Sequence, residues 1–190
     1  MHFFCEPEAR GPCAARDPMT ENPHLTFILG GARSGKSAYA ERLVIAYPAP
    51  WIYIATAQAF DDEMRARIDL HRSRRGEGWR VTEAPQDLPD AIRAAPKAAP
   101  LLVDCLGIWL SNRMHVDADL VADRAALIDA LTVRAAPTVI VSPEVGLSIV
   151  PENALARAFR DAAGILHQEV AKISAHVALV VAGYPVKVKG

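Results

Sequence analysis

The sequence predicts an α/β protein of the P-loop NTPase type, a three-layer sandwich in which helices flank a mostly parallel central sheet. Three observations carry that prediction. Apolar runs of strand length alternate with segments long enough for crossover helices. Two of the runs, Thr138-Val-Ile-Val and Val177-Ala-Leu-Val-Val, are continuously apolar and rich in β-branched residues, as strands covered on both faces are. The first run breaks into Gly30-x-x-x-x-Gly35-Lys36-Ser37 and then a good helix, the context a phosphate-binding loop requires.

Along the chain, residues 1–23 are rich in proline and charge, show no periodicity and read as a disordered leader, with Met19 a candidate start. They lack the basic and then apolar regions of a signal peptide. Residues 24–190 read as a single domain. Strands are expected at 25–29, 51–55, 79–83, 101–104, 138–142 and 176–182. The helix after the first strand begins Ser37-Ala-Tyr-Ala-Glu-Arg-Leu-Val. Residues 61–75 carry acids at the front and bases at the back, which complements a helix dipole. Right-handed crossovers place ligands at the carboxyl ends of parallel strands. Residues 30–37, Thr56, Glu83, Asp104 and Glu144, each at or just past a strand end, should therefore converge on one sheet edge.

Charge is nearly balanced, 21 Lys+Arg against 22 Asp+Glu, so nothing marks a general nucleic-acid or membrane-surface binder. The 3 cysteines, Cys5, Cys13 and Cys105, have no metal-ligand spacing and imply no disulfide framework, which fits a reducing cytoplasm. No apolar run approaches the ~20 residues of a membrane-spanning helix.

The loop carries the clearest chemistry. Glycines let successive N–H groups curl around phosphate oxygens at a helix N-terminus, so Gly30, Gly31, Ala32, Arg33, Ser34 and Gly35 are candidate nucleotide contacts. Lys36 would reach the β/γ-phosphates and Ser37 would ligate Mg²⁺. Asp104, closing an apolar run, is either a second metal-associated acid or an N-cap for the helix that follows. Glu144 is a candidate of the same sort or a surface turn acid. Arg67, His71 and Arg75 are spaced four apart, and on a helix they would share one face. Neighbouring guanidiniums disfavour imidazolium, which would keep His71 neutral and nucleophilic. A solvated basic face is the plainer alternative. His2, His24, His115, His167 and His176 have no such setting and read as structural or surface residues. On these residues alone, a small-molecule kinase without a covalent intermediate and a nucleotide-dependent switch also stand.

Taken together, Gly30-Gly-Ala-Arg-Ser-Gly-Lys-Ser, Tyr53-Ile-Ala-Thr-Ala, Asp61-Asp-Glu-Met, Arg67-Ile-x-x-His71-Arg, Trp79-Arg-x-x-Glu83 and Glu144-Val-Gly-x-x-Ile-Val-Pro-Glu-Asn resemble the bifunctional adenosylcobinamide kinase / adenosylcobinamide-phosphate guanylyltransferase family of cobalamin biosynthesis. The resemblance implies a P-loop domain that phosphorylates adenosylcobinamide with ATP or GTP. It then transfers GMP from GTP to adenosylcobinamide phosphate through a covalently guanylylated histidine. His71 matches that histidine, with Lys36 the other catalytic residue. Also implied are nucleotide contacts from Ala55, Thr56, Ala57, Arg72, Ser73, Arg74, Arg75, Glu83 and Asp104, Mg²⁺ held by Ser37 and Asp104, and a homo-oligomer, in the family a trimer. The chain departs from the usual pattern at Pro143, where the family commonly has Asn, and at Ser148, where it commonly has Gly.

Overall fold

The computed structural model describes residues 21–58 and 76–190. Strand β1 (Asn22–Gly30) leads into helix α1 (Lys36–Ile45), and β2 (Trp51–Ala55), β3 (Trp79–Glu83) and α2 (Leu88–Ala94) follow. Next come β4 (Leu101–Asp104), α3 (Leu106–His115), α4 (Leu120–Thr132) and β5 (Thr138–Pro143). Helix α5 (Ala154–Ile173) and strands β6 (Ser174–Val181) and β7 (Tyr184–Lys189) complete the described chain. The seven strands form one sheet in the order β3-β2-β4-β5-β1-β6-β7. Every neighbouring pair is parallel except β6 with β7.

All six expected strands are present, and those at 51–55, 79–83 and 101–104 keep the expected bounds. The run from Thr138 to Ser142 is buried on both sides, successive side chains pointing to opposite layers, whereas in the run from Val177 to Val181 only Val177 and Val180 are fully buried. Leu25, Phe27, Ile52, Ile54, Leu101, Val103 and Ile140 join a core with α2, α3, α4 and α5. On the other face Ile28, Tyr53, Leu102, Val139 and Val141 pack with Ala40 and Val44 of α1. The inner strands β2, β4 and β5 are thus largely buried along their length although their residues alternate between two cores. The expected helix at 61–75, including His71, Arg72, Ser73, Arg74 and Arg75, lies outside the described residues.

Two features differ from expectation. Strand β1 starts at Asn22, inside the stretch read as leader. The buried Asn22 amide donates to the carbonyls of Leu131 (2.7 Å) and Arg134 (2.8 Å), tying the start of β1 to the end of α4. Order here comes from a polar clasp that hydrophobic periodicity does not register. The second is β7, which returns from β6 through a turn at Ala182 (φ 50°) and Gly183 (φ 87°). Its residues are exposed except for Lys189, so no buried face announces the strand. Among the described residues no helix is long and apolar enough to cross a membrane.

Candidate active site

Strands β1 to β6 run the same way, so their carboxyl ends share one edge of the sheet. Ala55 lies in register between Glu83 on β3 and Asp104 on β4. Asp104 in turn pairs with Val141, and Gly30 with Pro143 and Val180. The convergence expected from topology therefore holds for Gly30, Ala55, Glu83 and Asp104, with Thr56, Ala57 and Glu144 one or two residues beyond. One strand, β5, separates Asp104 from the loop strand, a distance of about 10 Å at ordinary strand spacing.

The loop leaves β1 at Gly30 and enters α1 at Lys36. A methyl group on Gly30 would lie 2.5 Å from Ser34 Oγ and 2.8 Å from the Val180 carbonyl, so the close approach of β6 requires glycine. Gly35 caps α1 in the left-handed region at φ 91°, and Arg33 is left-handed as well at φ 54°. Gly31, Ala32, Arg33 and Gly35 are exposed, Ser34 and Ser37 half-buried. The β6–β7 turn braces the loop from behind, with the Gly183 N–H donating to the Ser34 carbonyl at 2.8 Å. No acid stands in the first turn of α1, which leaves its positive end available to an anion. Lys36 is buried to 8 % exposure, and its Nζ donates to the Gly31 carbonyl across the loop at 3.2 Å.

Asp104 is half-buried at the end of β4, and one carboxylate oxygen accepts from the Tyr53 hydroxyl at 3.2 Å. It does not cap α3: the capping position is Cys105, with no side-chain cap bond. That removes the plainer reading of this acid. Cys105 is buried, and desolvation, with Asp104 adding to it, pushes its thiol up to about 12. A thiol held protonated is a poor metal ligand.

Thr56 is fully buried. Its hydroxyl donates to the Cys105 carbonyl (2.8 Å) and accepts from the Cys105 N–H (2.9 Å). Its own carbonyl accepts from Asn112 at 2.9 Å, and its N–H faces the Asp104 carbonyl at 3.4 Å. Thr56, expected as a nucleotide contact, has its hydroxyl, carbonyl and N–H engaged within the protein. It serves the site as a clasp between the ends of β2 and β4.

Glu144 is the turn acid of its two readings. One carboxylate oxygen accepts from the N–H groups of Gly146 and Leu147, closing the turn after β5. The other faces His167 Nδ1 at 3.8 Å. Among the described residues no group of three or more His, Cys, Asp or Glu is placed to hold a metal ion.

The model of the cobinamide kinase / cobinamide phosphate guanyltransferase family matches residues 26–188. The chain belongs to this family. It is 45% identical over 167 residues to the bifunctional adenosylcobalamin biosynthesis protein CobP of Pseudomonas aeruginosa, covering 86% of this chain and 96% of that one. To CobU of Escherichia coli, also named a bifunctional adenosylcobalamin biosynthesis protein, it is 40% identical over 182 residues, covering 87% of this chain and 99% of that protein. An ATPase from the type III secretion system of pathogenic bacteria superposes on 82% of the chain with a TM-score of 0.50 at 13% identity. The chain spans 50% of the length of that ATPase, and the likeness concerns the fold alone.

Within this cobinamide kinase / guanyltransferase, the departure at Pro143 has a structural counterpart. A methyl group on Gly107 would lie 2.4 Å from Pro143 Cγ, so the proline ring rests on a glycine in the first turn of α3. Ser148 folds back to donate to the Val145 carbonyl at 2.9 Å. Three residues that support the site are not evident from sequence spacing. Tyr53 reaches Asp104 from the adjacent strand, which alternation on β2 could have indicated. Asn112 bridges the carbonyls of Thr56 and Pro85, each at 2.9 Å. His167, expected to be structural or at the surface, is buried, and its Nε2 lies 2.8 Å from Ser142 Oγ.

Proposed function

We propose that this chain phosphorylates the aminopropanol hydroxyl of adenosylcobinamide with ATP or GTP, then transfers GMP from GTP to the resulting phosphate. The products are adenosylcobinamide-GDP and pyrophosphate. The observation that supports this most is the placement of the residue 30–37 loop and Asp104 on one sheet edge, in a chain of the cobinamide kinase / guanyltransferase family. Backbone N–H groups of residues 31–37 would cradle the phosphates at the head of α1. The Lys36 ammonium, now on the Gly31 carbonyl, would exchange that acceptor for the β/γ-phosphate oxygens. Ala55, Thr56, Ala57 and Glu83 would contact the nucleotide along the same edge.

Ser37 and Asp104 are hard oxygen donors that suit Mg²⁺, and the protonated Cys105 thiol does not compete. When bound there, Mg²⁺ would neutralise charge on the phosphate oxygens. For guanylyl transfer, a His71 nitrogen would attack the α-phosphorus of GTP, forming a P–N bond as the bond to pyrophosphate breaks. A phosphate oxygen of adenosylcobinamide phosphate would then attack the same phosphorus and release His71. The arginines spaced around His71 in the sequence support that role, with Arg72, Ser73, Arg74 and Arg75 as nucleotide contacts. A cytoplasmic homotrimer completes the reading.

The test is incubation with α-³²P-GTP and Mg²⁺, followed by denaturing electrophoresis of the wild type and His71→Ala. The expected result is an acid-labile, base-stable labelled band that the substitution abolishes. A folded wild type that binds GTP but takes up no label would overturn the covalent step. The remaining alternative, a kinase acting without it, would then be tested by γ-phosphate transfer to adenosylcobinamide.

A further inference from the structure

Alternation along β2 and β4 sends Tyr53, Leu102 and Asp104 to one face of the sheet, since Tyr53 pairs with Leu102, Ala55 pairs with Asp104, and residues two apart share a face. That face is the one α1 covers: Tyr53 and Leu102 pack there with Ala40 and Val44, as do Val141 of β5 and Ile28 of β1. The register runs straight across it, from Asp104 to Val141 and from Val141 to Ile28, two residues before Gly30. The Asp104 side chain therefore lies on the layer that the chain enters with Lys36 and Ser37 at the head of α1. Lys36 is close enough to Cys105, the next residue, for its charge to oppose the rise of that thiol's pKa.

Tyr53 is the diagonal neighbour of Asp104, a separation that a long aromatic side chain spans. Its hydroxyl donates to Oδ2 of the carboxylate at 3.2 Å, and no described residue hydrogen-bonds or ion-pairs with Oδ1. The ring that carries this hydroxyl is fixed: it is 4 % exposed and stands edge-on to Trp79, with centroids 6.0 Å apart at 82°. A half-buried aspartate at a strand end has a soft terminal torsion and would otherwise offer either oxygen. Mg²⁺ demands near-ideal octahedral placement of its ligands, so such freedom weakens its binding. We propose that Tyr53 is a positioning residue: its hydroxyl holds Oδ2 of Asp104, so that Oδ1 alone is offered to the Mg²⁺ of the bound nucleotide. The metal role of Asp104 rests on the function proposed above.

Mn²⁺ binding to the full-length protein loaded with a β,γ-imido analogue of GTP, followed by the paramagnetic resonance of free Mn²⁺, tests this without turnover. Tyr53→Phe keeps the packed ring and should raise the Mn²⁺ Kd about tenfold, as loss of a partner behind a ligating carboxylate does. Asp104→Asn should raise it at least as much. Adding Tyr53→Phe to Asp104→Asn should change it by less than about twofold, because the hydroxyl acts only through the carboxylate. In kinase assays of Tyr53→Phe, the Mg²⁺ concentration giving half the maximal rate should rise by a similar factor. If Asp104→Asn weakens Mn²⁺ binding and Tyr53→Phe leaves it unchanged, the proposal is overturned while the metal role of Asp104 stands. If Asp104→Asn itself leaves Mn²⁺ binding unchanged, that metal role falls and the proposal with it. A Tyr53→Phe effect that persists at full size beside Asp104→Asn would mark a packing change and would also overturn the proposal.

Discussion

The ring of His167 is enclosed between a strand and a helix, with its Nε2 2.8 Å from Ser142 Oγ. Burial lowers the pKa of His167 from its ordinary 6.5, and the nearby Glu144 carboxylate only partly opposes this. Unfolded, the residue would titrate normally. The stability its neutral form contributes is therefore complete above pH 6.5, and is lost as the pH falls from there toward the folded-state value, because only the unfolded chain takes up the proton. This contribution changes by at most about 1.4 kcal/mol per pH unit. Urea unfolding from pH 8 to pH 5 should show the wild type losing stability relative to His167→Asn as the solution is acidified. Parallel pH profiles for the two proteins would show that this ring does not couple to folding.

The ends of β2 and β4 are joined by the Thr56 hydroxyl, which bonds both the N–H and the carbonyl of Cys105. Thr56→Val keeps the shape but leaves the Cys105 N–H and carbonyl without their partner. The cost should be about 1–3 kcal/mol. Asp104 directly precedes Cys105, so kinase kcat should also fall, by roughly tenfold if the carboxylate loses its preorganised position. Thr56→Ser keeps the hydroxyl and should recover both quantities, as urea midpoints and initial rates would report. This clasp also shows where reading the sequence succeeds and where it stops. Buried parallel strands and the phosphate loop were legible because period-2 burial and glycine-lysine-serine spacing are local signals. Thr56, by contrast, stands in a recognisable motif, and only the fold shows that its hydroxyl faces Cys105, 49 residues away. Asn22 reaches Leu131 across 109 residues, and His167 reaches Ser142 across 25. Polar clasps join positions whose separation has no period, whereas strands and helices repeat. The hairpin strand β7 escaped for another reason: it lies along an exposed edge with no buried apolar face to mark it.

At the scale of the whole molecule, a cobinamide kinase and guanyltransferase carries out two transfers, of a terminal phosphoryl group and of a guanylyl group. The described residues place one phosphate loop on the carboxyl edge of the sheet, built from β1 and α1 and braced by the β6–β7 turn. If both reactions draw on this loop, Lys36 stabilises the departing diphosphate in the kinase step and the departing pyrophosphate in guanylylation. Lys36→Met tests that directly. Methionine can follow the buried path of the lysine stem while removing the charge, and among the described residues the ammonium donates to the Gly31 carbonyl. Thermal unfolding should therefore stay close to that of the wild type. Both phosphoryl transfer to adenosylcobinamide and labelling from α-³²P-GTP should fall together, by about 10²–10³, as when a charge-stabilising donor is removed from a preorganised site. Loss of the kinase activity with labelling intact would instead place the guanylyl donor in a second pose that bypasses Lys36, and the two activities would then share a fold without sharing a phosphate site.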